Sequence, residues 1–456
     1  MQRKILVVAG TRPEIVKVSP VIEAFRRRKD SELRFVWTGQ HYDRELSTVF
    51  LEDLEMPKPD SDLGVGPCSP AEQSAKIALG LEKEIERERP DVILAEGDTN
   101  TVAETALAAR RGHIPFGHVE AGLRSYDRCM PEEINRCVAG ICADLNFAPT
   151  SNSALNLIYE GISPSRIFVT GNTIVDVVAT IERRGGFRDM EGRFGFDSSK
   201  RNILATIHRA ENVDNPRRLG EIVSTMSALS SIGHVVFPIH PRTVKNLSRF
   251  DLRGKLERSG IEMVEPMGYL DFLSLERACD LIVTDSGGVQ EEGMILGTPV
   301  ITMRYNTERP ETVWEGNNAV LGTTFSPEAV RKMLRDGRKR SPLNIPNALG
   351  DGDAGARIAE ITISQLEKGI VQFSPDYRES GGAIRQIIRA RATLKVSEIE
   401  KATDDVKILV IYDSFGNPIL PDPDYELSQG QMALVFGTRE SIGAIRDLAA
   451  VSQMVA

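Results

Sequence analysis

Short apolar runs rich in valine and isoleucine recur through most of the chain, separated by longer stretches whose apolar positions return every three or four residues. "ILVVAG" (5–10), "RFVWTG" (34–39), "DVILAEG" (91–97), "PFGHVEAG" (115–122), "LNFAPT" (145–150) and "RIFVTGN" (166–172) read as strands. Helices are expected between them at 14–29, 71–88, 101–111 and 131–143. Apolar strands alternating with helices predict a parallel sheet covered on both faces. The pattern then restarts with "NILATIH" (202–208), "HVVFPIH" (234–240), "IEMVEP" (261–266), "DLIVTDSGG" (280–288), "PVITMR" (299–304) and "AVLGTT" (319–324). Between the two series, residues 185–201 carry glycines and charge but few large apolar side chains, so the hinge is expected there.

The fold class is therefore α/β, with two doubly wound domains facing one another across a cleft formed by their strand ends. The expected domains are 1–185, completed by a helix at 353–368, and 186–352. After a glycine-containing linker the character changes. Residues 380–456 predict a small α+β module of strands and tight turns, closed by a helix from 439 to 450.

Bulk properties narrow the partners. A net charge of −9 argues against a nucleic acid held through its phosphates, but a few local cations suffice for a small anion. The opening "MQRKILVVAGTRPE" reads as neither signal peptide nor membrane span, which predicts a cytoplasmic protein with no membrane partner. Five cysteines form no CxxC pair and no zinc-like spacing with the six histidines, so no metal is expected.

The polar residues that carry chemistry follow the strands. "TDSGGVQEE" sets Ser286, Gly287 and Gly288 at a helix start, where free amides attract phosphate, yet Glu291 and Glu292 follow within a turn. Amides for phosphates and a carboxylate for ribose hydroxyls reconcile the two. "AGTRPEIVK" brings Arg12 and Lys17 to another helix start, with no GxGxxG pattern for a nicotinamide nucleotide. "AEGDTNT" offers Asp98, by composition an ordinary helix cap. "GHVEAGLRS" offers Glu120 beside His118 and Arg124. "PEEINR" offers Glu132 and Glu133, one able to face the cleft while the other caps. His208 in "TIHRAEN" and His240 in "PIHPR" end consecutive strands, and Arg309 in "TERPET" precedes a proline as Arg12 does. Cations and helix starts suit a pyrophosphate, and carboxylates suit sugar hydroxyls or proton transfer. The residues thus point to nucleotide-sugar chemistry, with transfer, hydrolysis and epimerisation all open.

Taken in order, "GTRPEIVK", "TGQHYD", "EGDTNT", "GHVEAGLRS", "PEEINR", "TIHRAEN", "TDSGGVQEE" and "TERPET" resemble the non-hydrolysing UDP-N-acetylglucosamine 2-epimerases over residues 1 to about 368. The resemblance implies two Rossmann-like domains in the GT-B arrangement, a homodimer, a UDP-sugar substrate and no cofactor. It assigns Asp98, Glu120 and Glu132 to acid/base work and His208 to the leaving phosphate. Arg12, Lys17, Ser286, Gly287 and Gly288 would hold the diphosphate, and Glu292 the ribose. Phe272 would lie beside the uracil, with His240 and Arg309 completing the contacts. Gln40 and His41 fall where bacterial members bind an activating second UDP-GlcNAc, though the wording here departs from theirs.

The tail resembles the RCK-C (TrkA-C) domain of potassium-uptake regulators, best in "ILVIYDSFGNPILPDPDYELSQGQMALVFGT". That likeness implies a regulatory module that pairs into dimers or binds a small effector. Alternatives for the whole are an epimerase of another UDP-sugar, such as a diacetamido-uronate, or a catalytically silent UDP-sugar sensor.

Overall fold

Each early apolar run forms a parallel strand, β1 (Arg3–Ala9), β2 (Ser31–Trp37), β4 (Val92–Glu96), β5 (Phe116–Val119), β6 (Leu145–Ala148) and β7 (Ile167–Val169), and a short β3 (Ser61–Asp62) joins them. The computed structural model describes residues 2–40, 51, 53–197, 199–336, 348–369, 383–390, 392–403, 405–412, 418–419, 421–445 and 449–451. The first sheet runs β3-β2-β1-β4-β5-β6-β7. Its core residues, such as Leu6, Val8, Ile93, Ala95 and Phe116, are inaccessible on both faces because helices cover each side. The two-residue edge strand β3 has no apolar run to announce it.

The second series repeats the plan. β8 (Arg201–Thr206), β9 (Gly233–Pro238), β10 (Glu262–Val264), β11 (Leu281–Thr284), β12 (Val300–Thr302) and β13 (Asn318–Val320) form a parallel sheet in the order β10-β9-β8-β11-β12-β13. In each sheet the strand order reverses once, beside β1 and β4 in the first and beside β8 and β11 in the second. Chain segments leaving such a switch point diverge to opposite faces and open a crevice. The Gly10 turn and Asp98 leave the first switch point, and His208 and the Ser286 turn leave the second.

These sheets belong to one compact unit, Met1–Asn156 with Ile167–Lys368; Leu157–Arg166 with Gly369–Ala456 form the other. Within the first unit the helix Ala354–Lys368 returns to the first sheet's helices. Gly355 lies so close to Pro20 that a Cβ there would stand 2.6 Å from its carbonyl group. Asp176 caps the same helix, accepting from the Ala354 and Gly355 amides at 3.2 and 2.8 Å. An apolar cluster of Val16, Ile174, Val178, Leu273, Met294 and Ile295 joins helices from both sheets. Among the described residues no helix is long and apolar enough to cross a membrane.

The second unit holds an antiparallel sheet in the order β17-β16-β19-β14-β20, from β14 (Ala383–Ala390), β16 (Lys407–Tyr412), β17 (Pro418–Ile419), β19 (Met432–Thr438) and β20 (Ala449–Val451). The short pair β15 (Leu394–Lys395) and β18 (Glu426–Leu427) completes it. Ile388, Ile399, Ile411, Leu427 and Val435 make its core. The helix expected over 439–450 is shorter, Arg439–Ala444, and the chain returns as β20. Pairing Val451 with Ile388 satisfies backbone groups along β14, an interaction that local helical periodicity does not register.

Candidate active site

The helix Arg12–Arg27 begins with Pro13 in its first turn, and Glu14 folds back to accept from the Gly10 and Thr11 amides at 2.5 and 2.8 Å. Glu14 thereby occupies the positive helix start itself. Burial raises its pKa to about 7, although Thr99 and the two amides hydrogen-bond to it. One turn on, Lys17 is buried and points to Glu120 and Glu291, 3.0 Å from Glu291 Oε2.

Arg309 enters from the other domain. Its Nε lies 2.8 Å from Glu291 Oε1 and its Nη2 lies 3.2 Å from Glu120 Oε1. Two cations and two carboxylates therefore form one closed, buried lattice across the domains. Burial pushes Glu291 upward, but Arg309 and Lys17 outweigh it and hold it below the usual carboxylate range. Glu120 stays raised, because burial and its carboxylate neighbour exceed what Lys17 and Arg309 return. Its backbone sits at φ +65°, left-handed and unusual for a side-chain-bearing residue, a strain of about 1–3 kcal/mol. Behind it Glu96, also buried, is raised by burial and by Glu120.

Asp98 does not cap the following helix; Thr99 takes that position, accepting from the Thr101 amide. Asp98 is left to pair with Arg136 at 2.5 Å. Of the two acids in "PEEINR", Glu133 turns inward to the Ser125 and Tyr126 amides and to Arg136. Glu132 remains half-exposed and forms no ion pair among the described residues.

From the second domain, Asp285 organises the strand end. Fully buried, it accepts from the His208 and Arg209 amides at 3.1 and 3.0 Å and from Asn212 at 3.0 Å, and its Oδ1 lies 3.4 Å from His208 Nδ1. The His208 and His240 rings stand 5.9 Å apart, and His240 Nδ1 caps the helix Pro241–Arg249. Ser286 precedes the helix Gly287–Leu296 without a side-chain cap bond, and its own amide donates to Thr284 Oγ1 at 2.9 Å. A Cβ at Gly287 would strike Arg309, whereas one at Gly288 would meet open space. Phe272, half-buried, packs on the second domain's apolar cluster.

Other expected residues lie elsewhere or do other work. His118 is fully buried, bonded through Nε2 to the Gly97 carbonyl at 2.8 Å, and burial lowers its pKa to about 4, so it is a neutral core residue. Gln40 accepts from the Thr101 amide and hydroxyl at 3.1 and 2.9 Å; His41 lies outside the described residues. Glu308, Asp285 and Arg136 were not singled out from sequence. Glu308 is buried, yet facing Arg309, Arg304, Arg209 and Arg136 hold it well below the usual range. Its position in "TERPET", one residue before Arg309, was the available signal. Among the described residues no group of three or more His, Cys, Asp or Glu is disposed to hold a metal.

A UDP-N-acetylglucosamine 2-epimerase family matches residues 23–363. A UDP-N-acetylglucosamine 2-epimerase of Methanocaldococcus jannaschii is 44% identical over 367 residues, 78% of this chain and 98% of the relative. One from Methanococcus maripaludis is 42% identical over 79% of this chain and 99% of its own length. The UDP-2,3-diacetamido-2,3-dideoxy-D-glucuronate 2-epimerase of Pseudomonas aeruginosa is 35% identical, covering 78% of this chain and 98% of the relative. Among solved structures, the M. jannaschii UDP-GlcNAc 2-epimerase in complex with UDP-GlcNAc and UDP aligns with a TM-score of 0.72, covering 79% of this chain and 99% of that one at 42% identity. The Neisseria meningitidis UDP-GlcNAc 2-epimerase bound to UDP-GlcNAc aligns at 0.71, with 32% identity and the same share of this chain.

Proposed function

Because the chain belongs to the UDP-N-acetylglucosamine 2-epimerase family, we infer that its cleft binds UDP-GlcNAc and inverts the sugar at C2. The enzyme is an isomerase, and the observation that carries its site assignment is the joining of two strand-end sets by Arg309. That arginine touches Glu120 of one domain and the Gly287 helix start of the other.

The C2 hydrogen of the sugar is not acidic, since no adjacent carbonyl can stabilise a carbanion. Removing it becomes feasible when the C1–O bond breaks and UDP leaves with the electron pair, forming a C1=C2 double bond. A proton then returns to C2 from the opposite face while a phosphate oxygen of UDP adds back to C1. Two proton-transfer positions are required, and Asp98, Glu120 and Glu132 are the carboxylates available. Burial raises Glu120 against the pull of Lys17 and Arg309, the direction that suits an acid role. His208, turned by Asp285, stands for the leaving phosphate.

The Ser286–Gly287–Gly288 turn and Arg12 take the diphosphate; Lys17 and Arg309 reach it from the lattice they share with Glu120 and Glu291. Glu292 takes the ribose hydroxyls, Phe272 the uracil, and His240 a sugar or phosphate contact. The C-terminal unit supplies a small-effector site or reinforces a homodimer, and Gln40 borders a second nucleotide site.

Proton NMR of the enzyme with UDP-GlcNAc in heavy water tests the reaction. UDP-ManNAc carrying deuterium at C2, without free sugar, is expected; free ManNAc plus UDP would replace this reading with the hydrolysing reaction.

A further inference from the structure

Two helices meet behind the expected ribose site. Tyr269–Ala278 carries Tyr269 and Glu276 seven residues apart, two turns along one face, and packs against Gly287–Leu296, which carries Glu292. Glu276 is 0% exposed, Glu292 7% and Tyr269 8%. Around them Leu273, Leu275 and Ile295 are fully buried apolar side chains.

A carboxyl in such surroundings ordinarily has a cation, because an unpaired buried charge costs several kcal/mol. Glu276 has none among the described residues; the ionisable groups that face it and Glu292 are Tyr269, Glu291 and Lys17. Lys17 is already held by Glu120 and Glu291. Two facing carboxyls that cannot both ionise share a proton, one acting as donor and the other as acceptor.

We propose that Glu276 and Tyr269 are positioning residues for Glu292, aiming its carboxylate at the nucleotide ribose through a shared carboxyl proton and the tyrosine hydroxyl. This rests on Glu292 being the ribose acceptor. Burial raises both carboxyls, Glu276 well above its ordinary value, while Tyr269 and Glu276 keep Glu292 from rising further. Glu276, the deeper of the two, is the donor of the shared proton, and Glu292, nearer the surface, is the acceptor. As pH rises the pair loses its proton, the carboxylates repel, and grip on the hydroxyls weakens.

The test is calorimetric titration of the full chain with UDP and with 2′,3′-dideoxy-UDP from pH 7.5 to 9.5. The ratio of the two dissociation constants reports hydroxyl recognition and cancels titration of the phosphates. In the unmodified protein the preference for UDP should shrink with rising pH. Glu276→Gln, whose amide donates but cannot lose a proton, should keep the preference and make it flat with pH. Glu276→Leu should reduce it about tenfold, and Tyr269→Phe should reduce it by less. A preference unchanged in Glu276→Leu, or a pH slope unchanged in Glu276→Gln, while Glu292→Gln loses the preference, overturns the positioning role alone. An undiminished preference in Glu292→Gln overturns the ribose assignment beneath it. If Glu276→Leu fails to fold, the slope in Glu276→Gln decides.

Discussion

Lys17 Nζ stands 3.0 Å from Glu291 Oε2, tying the helix after β1 to the helix after β11, and Arg309 ties the same two domains in the reverse sense through Glu120. Each carboxylate is shared by both cations. This balance makes a buried charge cluster tolerable, since no member is left uncompensated.

Lys17→Met removes one cation and leaves Glu120 and Glu291 to a single arginine. Unfolding free energy should fall by about 3–5 kcal/mol and turnover by about 100-fold or more. Adding Glu291→Gln should recover part of the stability. Urea melts of the single and double variants check this; an unchanged midpoint in Lys17→Met would show that the lattice is not coupled.

Asp98→Asn preserves shape but cannot exchange a proton. It should retain UDP affinity within a few-fold while turnover falls by about 100-fold or more. Loss of UDP binding instead would make Asp98 a structural partner of Arg136.

Asp285→Asn disturbs the group that orients His208. Losing a charged hydrogen-bond partner of about 1.5–3 kcal/mol should reduce kcat about 10- to 100-fold, with a smaller change in KM. Steady-state kinetics decide it, and an unaltered kcat would free His208 from this dependence.

Glu14 has a pKa raised to about 7 against an ordinary 4.5. The folded state therefore binds the proton more tightly, so stability is greatest below pH 4.5 and declines as pH rises to 7. The difference is about 3 kcal/mol. Chemical denaturation of the unmodified protein should carry this slope relative to Glu14→Gln over that window. Parallel pH profiles would rule out a buried neutral Glu14.

Deleting residues 375–456 should change the oligomeric state or the response to small ligands while the epimerase unit still folds. Light scattering and turnover assays read this, and no change in either would leave the tail without a regulatory part.

Much of the fold was legible because a parallel strand buried on both faces is apolar along its length, as in residues 92–95 and 281–283. The edge strand Ser61–Asp62 and the terminal strand Ala449–Val451 escaped, since each exists only through its pairing with a distant strand. Among site residues, Arg12, Asp98, His208 and Ser286 stood out because each follows a strand at its carboxyl end. Arg136 did not, because nothing local separates a buried charge from a surface one; Asp285 directly follows β11 and Glu308 directly precedes Arg309, so their placement offered a signal but their burial did not show.

By itself, the chain's order of apolar runs, glycine turns and strand-end polar residues determined two doubly wound sheets and a nucleotide-sugar cleft. Periodicity and turn chemistry are local, and the right-handed crossover leaves few ways to arrange such units. Only the tertiary structure decided that Glu133 rather than Glu132 turns inward, that Thr99 frees Asp98 for Arg136, and that Glu291 joins Lys17 to Arg309. It also decided which carboxyls burial raises above their ordinary range. Those outcomes depend on burial and on groups that the fold brings together, from a few residues apart for Glu133 and Ser125 to opposite domains for Lys17 and Glu291, and proximity in space is what a linear pattern does not record.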